Sequence, residues 1–169
     1  MNRALAGAIA GVVGTYAMTI AKDLMVSGLP ARERYPLPPR EITQDTAERV
    51  AGRVLDDEEG LVTGTVAAHF GFGTVCGMLF TGLNLHRRQP VLSGMGFGLL
   101  VWVGSYLGWI PAAGILTPAS QHPAGRNALM IAVHAVWGAA TGWAVARLMQ
   151  SERLYSSERR SELRDRAPS

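Results

Sequence analysis

Four long stretches of this 169-residue chain contain no charged residue, and that pattern decides its fold class. None of the 16 Lys and Arg or 13 Asp and Glu side chains lies within 4–21, 60–86, 89–125 or 128–146. A surface helix of a soluble protein needs a polar face, whereas a helix that crosses a bilayer needs about 20 mostly apolar residues. The pattern predicts an all-α fold, a four-helix transmembrane bundle with spans at about 5–26, 61–85, 91–110 and 127–149.

Two polar segments interrupt the apolar pattern. Between the first two spans, residues at helical spacing predict an amphipathic helix at about 41–55, with an apolar stripe of Ile42, Ala47, Val50, Ala51 and Val54. Such a helix is typical of a segment that rests on a membrane surface, and a lid or partner-docking role is the alternative. After the transmembrane domain at 1–149, the segment 150–169 is predicted as a short, charged, helical cytoplasmic tail.

Charge bears on orientation more than on function. The formal net charge is +3, and the basic residues lie beside apolar runs, where topology signals lie, so no nucleic-acid partner is predicted. With both termini inside, a small majority of the basic residues, among them Arg3, Arg87 and Arg88, lies on the inner side. We therefore expect the N and C termini on the cytoplasmic side. Cys76 is the only cysteine, so no intramolecular disulfide forms.

Glycines recur four residues apart in every predicted span. The pairs are Gly7/Gly11, Gly73/Gly77, Gly94/Gly98, Gly104/Gly108 and Gly138/Gly142. Apolar side chains gain little by leaving lipid for protein, so helices in membranes associate where small residues let their backbones approach. The pairs predict a compact bundle with close crossings. The same stripes also fit a homo-oligomer, and the sequence does not separate the two.

Polar side chains inside the spans are the candidates for chemistry. At about 1.5 Å per residue, the predicted spans place a set of them at one depth in the outer half of the bundle: His69, His134, Tyr106, Ser105, Tyr16 and Thr19. In one interpretation, each imidazole is neutral and hydrogen-bonded to a neighbouring helix. In the other, His69 and His134 ligate a haem or a metal, bind a quinone or carry protons.

The segment after the third span contributes further candidates. Three prolines and several uncharged polar residues at 111–127 indicate a loop tucked into the outer face of the bundle. His122 and Arg126 would then lie over the mouth of the bundle, near His69 and His134. We expect a ligand site at this place. No cofactor is predicted, because two histidines without a third ligand are a weak metal signal, and haem b is the alternative.

Several short motifs resemble the YagU-like family of small bacterial inner-membrane proteins. They are the run from Pro36 to Arg40, His69 in the second span, Leu116-Thr117-Pro118 after the third, and His134-Ala135-Val136-Trp137 in the fourth. The resemblance implies a multi-pass protein of the bacterial inner membrane with some association with acid tolerance and no settled activity. It also adds Arg40 to the candidate ligand-binding residues.

The chain contains no motif that indicates catalysis. It lacks a phosphate-binding loop, a zinc-protease motif and a recognisable nucleophile–base pair. The sequence favours a non-enzymatic protein of the cell envelope or of stress tolerance, or an accessory subunit of a larger membrane assembly, with the lipid bilayer as its first partner. The alternatives are a haem- or quinone-binding redox protein that uses His69 and His134, and a small transporter or proton pathway.

Overall fold

Four helices organise the described part of the chain, which in this computed structural model comprises residues 2–33, 58–115 and 117–165. They are α1 (Arg3–Val26), α2 (Glu58–Gly82), α3 (Pro90–Val103) and α4 (Ala124–Asp165). No strand occurs in these ranges, and four helical segments are long and apolar enough to cross a membrane. The all-α prediction is confirmed. Arg40 and the predicted helix at 41–55 lie outside the described residues.

Two asparagines, Asn2 and Asn84, lie at the end of the bundle where α1 begins. Asn2 caps α1, because its side chain accepts a hydrogen bond from the backbone N–H of Ala4 at 3.0 Å. Asn84 turns the chain after α2 with a φ of 57°, a left-handed conformation that asparagine tolerates. Arg3 Nη1 donates to Asn84 Oδ1 at 3.1 Å. The start of α1 and the turn between α2 and α3 therefore lie at the same end.

The helices form a row that does not close. α1 packs against both α2 and α4, and α4 also packs against α3, whereas α2 and α3 make few contacts. The spatial order is therefore α2, α1, α4, α3, with each packed pair antiparallel. The short turn between α2 and α3 holds these two helices together at one end, and a cleft lies between them towards the other.

Glycines allow α1 and α2 to meet backbone to backbone. Gly7 and Gly11 of α1 lie against Gly77 and Gly73 of α2. A Cβ at any of these four positions would overlap the facing backbone or a threonine hydroxyl. The contact therefore depends on the missing side chains, as expected of helices that associate in lipid.

The second close crossing joins α3 to α4. Gly94 lies against Gly138, Gly142 lies against the carbonyl oxygen of Pro90, and Gly98 lies against the carbonyl oxygen of His134. A Cβ on any of these glycines would overlap backbone atoms of the facing helix. The crossing thereby sets the position of the His134 backbone.

The third span departs from the regular helix that the sequence predicts. α3 ends at Val103, a π-helical segment follows at Gly104–Trp109, and a last helical turn is Ile110–Ala112. A π-helical turn accommodates an extra residue by bonding i to i+5, and such turns are frequent at functional sites. In the described part of the chain, Gly104 and Gly108 do not lie against another helix, because a Cβ at Gly104 would meet no atom within 4 Å and one at Gly108 only the Val103 carbonyl oxygen at 3.9 Å. A contact of this pair between copies of the chain stays a prediction.

Large apolar side chains cover much of the outer surface. Leu24 is 72% exposed and Leu100 is 68% exposed, and α2 presents Val66, Leu79 and other apolar side chains in the same way. A soluble monomer rarely exposes a continuous apolar surface of this extent. The surface fits lipid as the surrounding medium.

Candidate functional site

The cleft between α2 and α3 contains a cavity of about 290 Å³. All four helices contribute to its wall, and α2 and the π-helical segment, which make few contacts if any, supply two opposite sides. Most lining side chains are apolar or aromatic, among them Met18, Phe72, Trp109, Met130 and Trp137. A concave apolar wall with a few polar groups is the usual form of a small-molecule site.

His134 lies in this wall with its orientation fixed. Its Nδ1 lies 2.7 Å from the carbonyl oxygen of Met130, one turn earlier in α4. The edge of its ring meets the ring of Tyr106, with centroids 5.8 Å apart and planes at 85°. A carbonyl oxygen only accepts, so Nδ1 carries the proton of this bond. In the neutral ring, Nε2 then carries the lone pair.

His69 faces the same cavity from α2. Its ring makes an edge contact with Phe70, with centroids 6.2 Å apart, and within the described ranges it forms no hydrogen bond. Ser105, in the π-helical segment, is buried and lines the cavity. Its hydroxyl likewise has no hydrogen-bond partner in the described part of the chain. These two side chains therefore keep their hydrogen-bonding capacity for a molecule in the cavity.

Three other polar side chains of the wall are already hydrogen-bonded within the protein. Thr65 Oγ1 donates to the carbonyl oxygen of Leu61 at 2.7 Å. Thr15 Oγ1 donates to the carbonyl oxygen of Gly11 at 2.8 Å and accepts from Trp137 Nε1 at 3.2 Å. Buried polar groups are generally paired in this way. The side chains of the wall with an open hydrogen-bond acceptor thus include His69, Ser105 and His134, and Trp109 adds an indole N–H, which only donates.

The structure brings together some members of the polar layer that the sequence predicts and excludes others. His69, His134, Tyr106 and Ser105 line the one cavity. Tyr16 does not, because it is 63% exposed on the outer face of α1. Thr19 does not line it either, and its hydroxyl donates to the carbonyl oxygen of Thr15 at 2.9 Å.

His122 and Arg126, the two candidate residues near the loop after the third span, are not part of the cavity wall. His122 Nε2 donates to the carbonyl oxygen of Thr117 at 3.2 Å, a bond within the loop, and neither His122 nor Arg126 lines the wall. Asn127 Nδ2 ties this loop to the start of α4 by donating to the carbonyl oxygen of Ala119 at 2.7 Å. The loop is thus held over the end of α4, and the expected ligand-binding role of His122 and Arg126 stays a prediction.

Two opposite charges are buried at this end of the bundle. Arg126 is 2% exposed and Glu33 is 8% exposed. A carboxylate oxygen of Glu33 lies so close to Gly125 that a Cβ there would come within 2.6 Å of it. No pattern in the sequence indicated Glu33 as a buried residue. Residues Ala31–Glu33 form a short 3-10 turn.

The described residues contain no group of three or more His, Cys, Asp or Glu side chains that would hold a metal ion. A family model with the description "Family of unknown function (DUF6789)" matches residues 1–156, which include all four membrane-length helical segments. No curated protein matches the chain, and no solved structure matches it. The match does not bear on the resemblance to the YagU-like family, which stays a prediction.

Proposed function

Because the chain belongs to this family of unknown function, we propose its role from the cavity: an integral membrane protein that binds a small lipid-soluble molecule without catalysing a reaction. In this proposal the protein lies in the bacterial inner membrane with both termini in the cytoplasm. It serves the envelope or stress tolerance, alone or as an accessory subunit of a larger assembly.

The proposal rests on one observation: some polar side chains around the apolar cavity are hydrogen-bonded within the protein, and others are not. Thr15, Thr65 and Trp137 have partners within the protein, whereas His69 and Ser105 have none among the described residues. A polar group in apolar surroundings is stabilised when a partner completes its hydrogen bonds. A ligand in the cavity would supply the missing bonds to His69 and Ser105.

The open side of the cavity supports a ligand that arrives through lipid. α2 and α3 part along the cleft, and their outward faces carry exposed apolar side chains such as Val66 and Leu100. A molecule dissolved in the acyl chains would reach His69 between these helices without crossing the polar ends of the bundle. A volume of about 290 Å³ suits a single ring with a short apolar extension.

A photoreactive apolar probe tests this proposal. The protein is reconstituted in lipid vesicles and irradiated with trifluoromethyl phenyldiazirine, and the modified residues are located by mass spectrometry. We expect saturable labelling of Phe72, Met130 or other wall residues. Labelling that is not saturable and that favours lipid-facing side chains such as Leu79 would overturn the proposal.

Two adjacent alanines of α2 give a matched control. Ala68 lines the cavity, whereas Ala67 does not, and both side chains are exposed. Ala68→Trp should fill the entrance and remove the saturable labelling, and Ala67→Trp should leave it unchanged. Equal labelling of the two variants would show that the probe enters elsewhere.

A haem is the second candidate ligand; it would have to part α2 and α3 beyond the present cavity, and the hydrogen bond of His134 is the observation that favours it. Metal-ligating histidines usually donate their other ring N–H to a carbonyl or carboxylate, as His134 does to Met130. His69, which lines the same cavity from α2, would be the second residue to hold the haem iron. Addition of haem b to the purified protein should then give a Soret band that His69→Ala abolishes and His122→Ala does not. The absence of any such band would dismiss this candidate.

A further inference from the structure

We infer that the ligand of the cavity is a lipid-soluble phenol, whose hydroxyl donates a hydrogen bond to Nε2 of His134. The inference rests on the proposed binding function and adds the chemical class of the ligand. It follows from which atoms of the wall accept a hydrogen bond, which atoms donate one, and what surrounds them.

The hydrogen bond between His134 and Met130 determines whether the other ring nitrogen of His134, Nε2, donates or accepts. Nδ1 donates to the Met130 carbonyl oxygen at 2.7 Å. A neutral imidazole has a single N–H, and a ring inside an apolar bundle is far more favourable in its neutral form. Nε2 is therefore an acceptor, and a ligand must present a donor to it.

Neighbouring groups hold that acceptor in place. The ring of Tyr106 meets the imidazole edge to face at 5.8 Å, and the Gly98 backbone lies against the carbonyl oxygen of His134. Rotation of the imidazole would break the bond to Met130 and this ring contact together. The site is thus organised before a ligand enters, which favours tight binding.

Ser105 and His69 do not select between donors and acceptors, and the indole N–H of Trp109, which only donates, can pair with a lone pair of a ligand oxygen. The hydroxyl of Ser105 and the ring of His69 can each donate or accept, depending on rotor and tautomer. They can therefore pair with the lone pairs of a ligand oxygen or with a second hydroxyl. His134 alone rejects a ligand that only accepts, such as an ether or a quinone, because an oxygen lone pair would face the Nε2 lone pair.

Aromatic side chains make a phenol a better match than an aliphatic alcohol. Phe72, Tyr106, Trp109 and Trp137 line the same cavity. Aromatic rings favour edge-to-face or offset contacts with one another, and such contacts add to the burial of apolar area. A single phenolic ring with a short alkyl chain combines these contacts with the donor that His134 requires.

Competition between two matched ligands tests the inference. para-Butylphenol and para-butylanisole have the same ring and the same short chain, but the second has a methyl ether in place of the hydroxyl. Each is titrated against the saturable labelling of the cavity by trifluoromethyl phenyldiazirine. We expect the phenol to compete at a concentration at least about tenfold lower, because the anisole leaves the His134 acceptor unpaired.

Two variants test whether the difference between the phenol and the anisole arises at His134. In His134→Phe the two competitors should become equivalent within about twofold, and in His122→Phe the difference should persist. Equal competition by both ligands in the unaltered protein would overturn the inference and leave the binding proposal standing. Failure of the probe to label the cavity at all would overturn both. The comparison of ligands on the unaltered protein decides the question even if His134→Phe does not fold.

Discussion

The indole Nε1 of Trp137 donates a hydrogen bond to Thr15 Oγ1 at 3.2 Å, across the interface between α4 and α1. The Thr15 hydroxyl in turn donates to the carbonyl oxygen of Gly11 at 2.8 Å. Both side chains are buried and both line the cavity. The pair thus does two things: it joins two helices through polar groups, and it removes those groups from the set that a ligand would meet.

Thr15→Ala should therefore destabilise the protein more than its small loss of volume would. The substitution leaves the buried indole N–H without an acceptor, and we expect a loss of about 1–2 kcal/mol in the free energy of unfolding. Thr15→Ser keeps the hydroxyl and should retain most of the stability. Denaturation in mixed detergent micelles, followed by circular dichroism, measures both changes.

A double-mutant cycle with Trp137→Phe isolates the bond from the packing. The coupling energy between Thr15→Ala and Trp137→Phe should be about 0.6 kcal/mol, the average for hydrogen bonds between membrane helices, and at most about 1.7 kcal/mol. Thr74→Ala is the comparison variant, because the Thr74 hydroxyl donates to the carbonyl oxygen of Phe70 at 2.7 Å and has no indole partner. Its coupling energy with Trp137→Phe should be close to zero. A coupling energy indistinguishable from zero would show that the Trp137–Thr15 bond does not stabilise the interface.

Gly94→Ala tests the close crossing of α3 and α4. The new Cβ would overlap the carbonyl oxygen of Gly138, so we expect destabilisation of about 1–3 kcal/mol from overpacking. Gly96, two residues along the same helix, has open space where a Cβ would lie, with no facing atom within 4 Å. Gly96→Ala should therefore be neutral or stabilising by up to about 1 kcal/mol. Thermal unfolding of the two variants in one detergent makes the comparison. Equal melting temperatures of the two variants would contradict the close contact between α3 and α4 at Gly94.

The sequence predicted the helices well because their cause is local and strong. Each span is a long run without charge, and each close crossing rests on glycines that are visible in the sequence. The Gly104 and Gly108 pair shows the limit of that reasoning. Spacing identifies a small-residue stripe, but only the tertiary structure shows whether another helix lies against it.

The candidate site was partly predictable for a similar reason. Counting residues from the span ends gives depth, and depth brought His69, His134, Tyr106 and Ser105 to one level. Depth does not give the direction in which a side chain points. Tyr16 faces outward while its neighbour Thr15 faces the cavity, and that difference depends on helix rotation. The position of the loop with His122 depends on the Asn127 bonds, which no pattern in the sequence indicated.

Cysteine labelling tests the orientation proposed for the membrane. Gln89 lies in the turn beside Arg87 and Arg88, at the end where Arg3 contacts Asn84, and Gln121 lies in the loop at the opposite end. Both side chains are exposed. In a Cys76→Ala background, Gln121→Cys should react with a membrane-impermeant maleimide in spheroplasts, and Gln89→Cys should react only after lysis. The reverse pattern would place both termini outside.

Two single-residue deletions test whether the π-helical segment carries an inserted residue that shapes the cavity. Leu107 lies within Gly104–Trp109, and Leu100 lies in the regular helix α3; both are exposed. Removing one residue from a π-helical turn restores regular bonding and leaves the flanking helix faces in register. Deletion of Leu107 should therefore preserve the melting temperature while it withdraws Ser105 and Tyr106 from the cavity and reduces saturable photolabelling.

Deletion of Leu100 should instead rotate every later residue of the span by about 100° and lower the melting temperature markedly. If the two deletions were equally destabilising, the segment would not behave as an inserted residue, and its part in positioning Ser105 and Tyr106 would need another explanation.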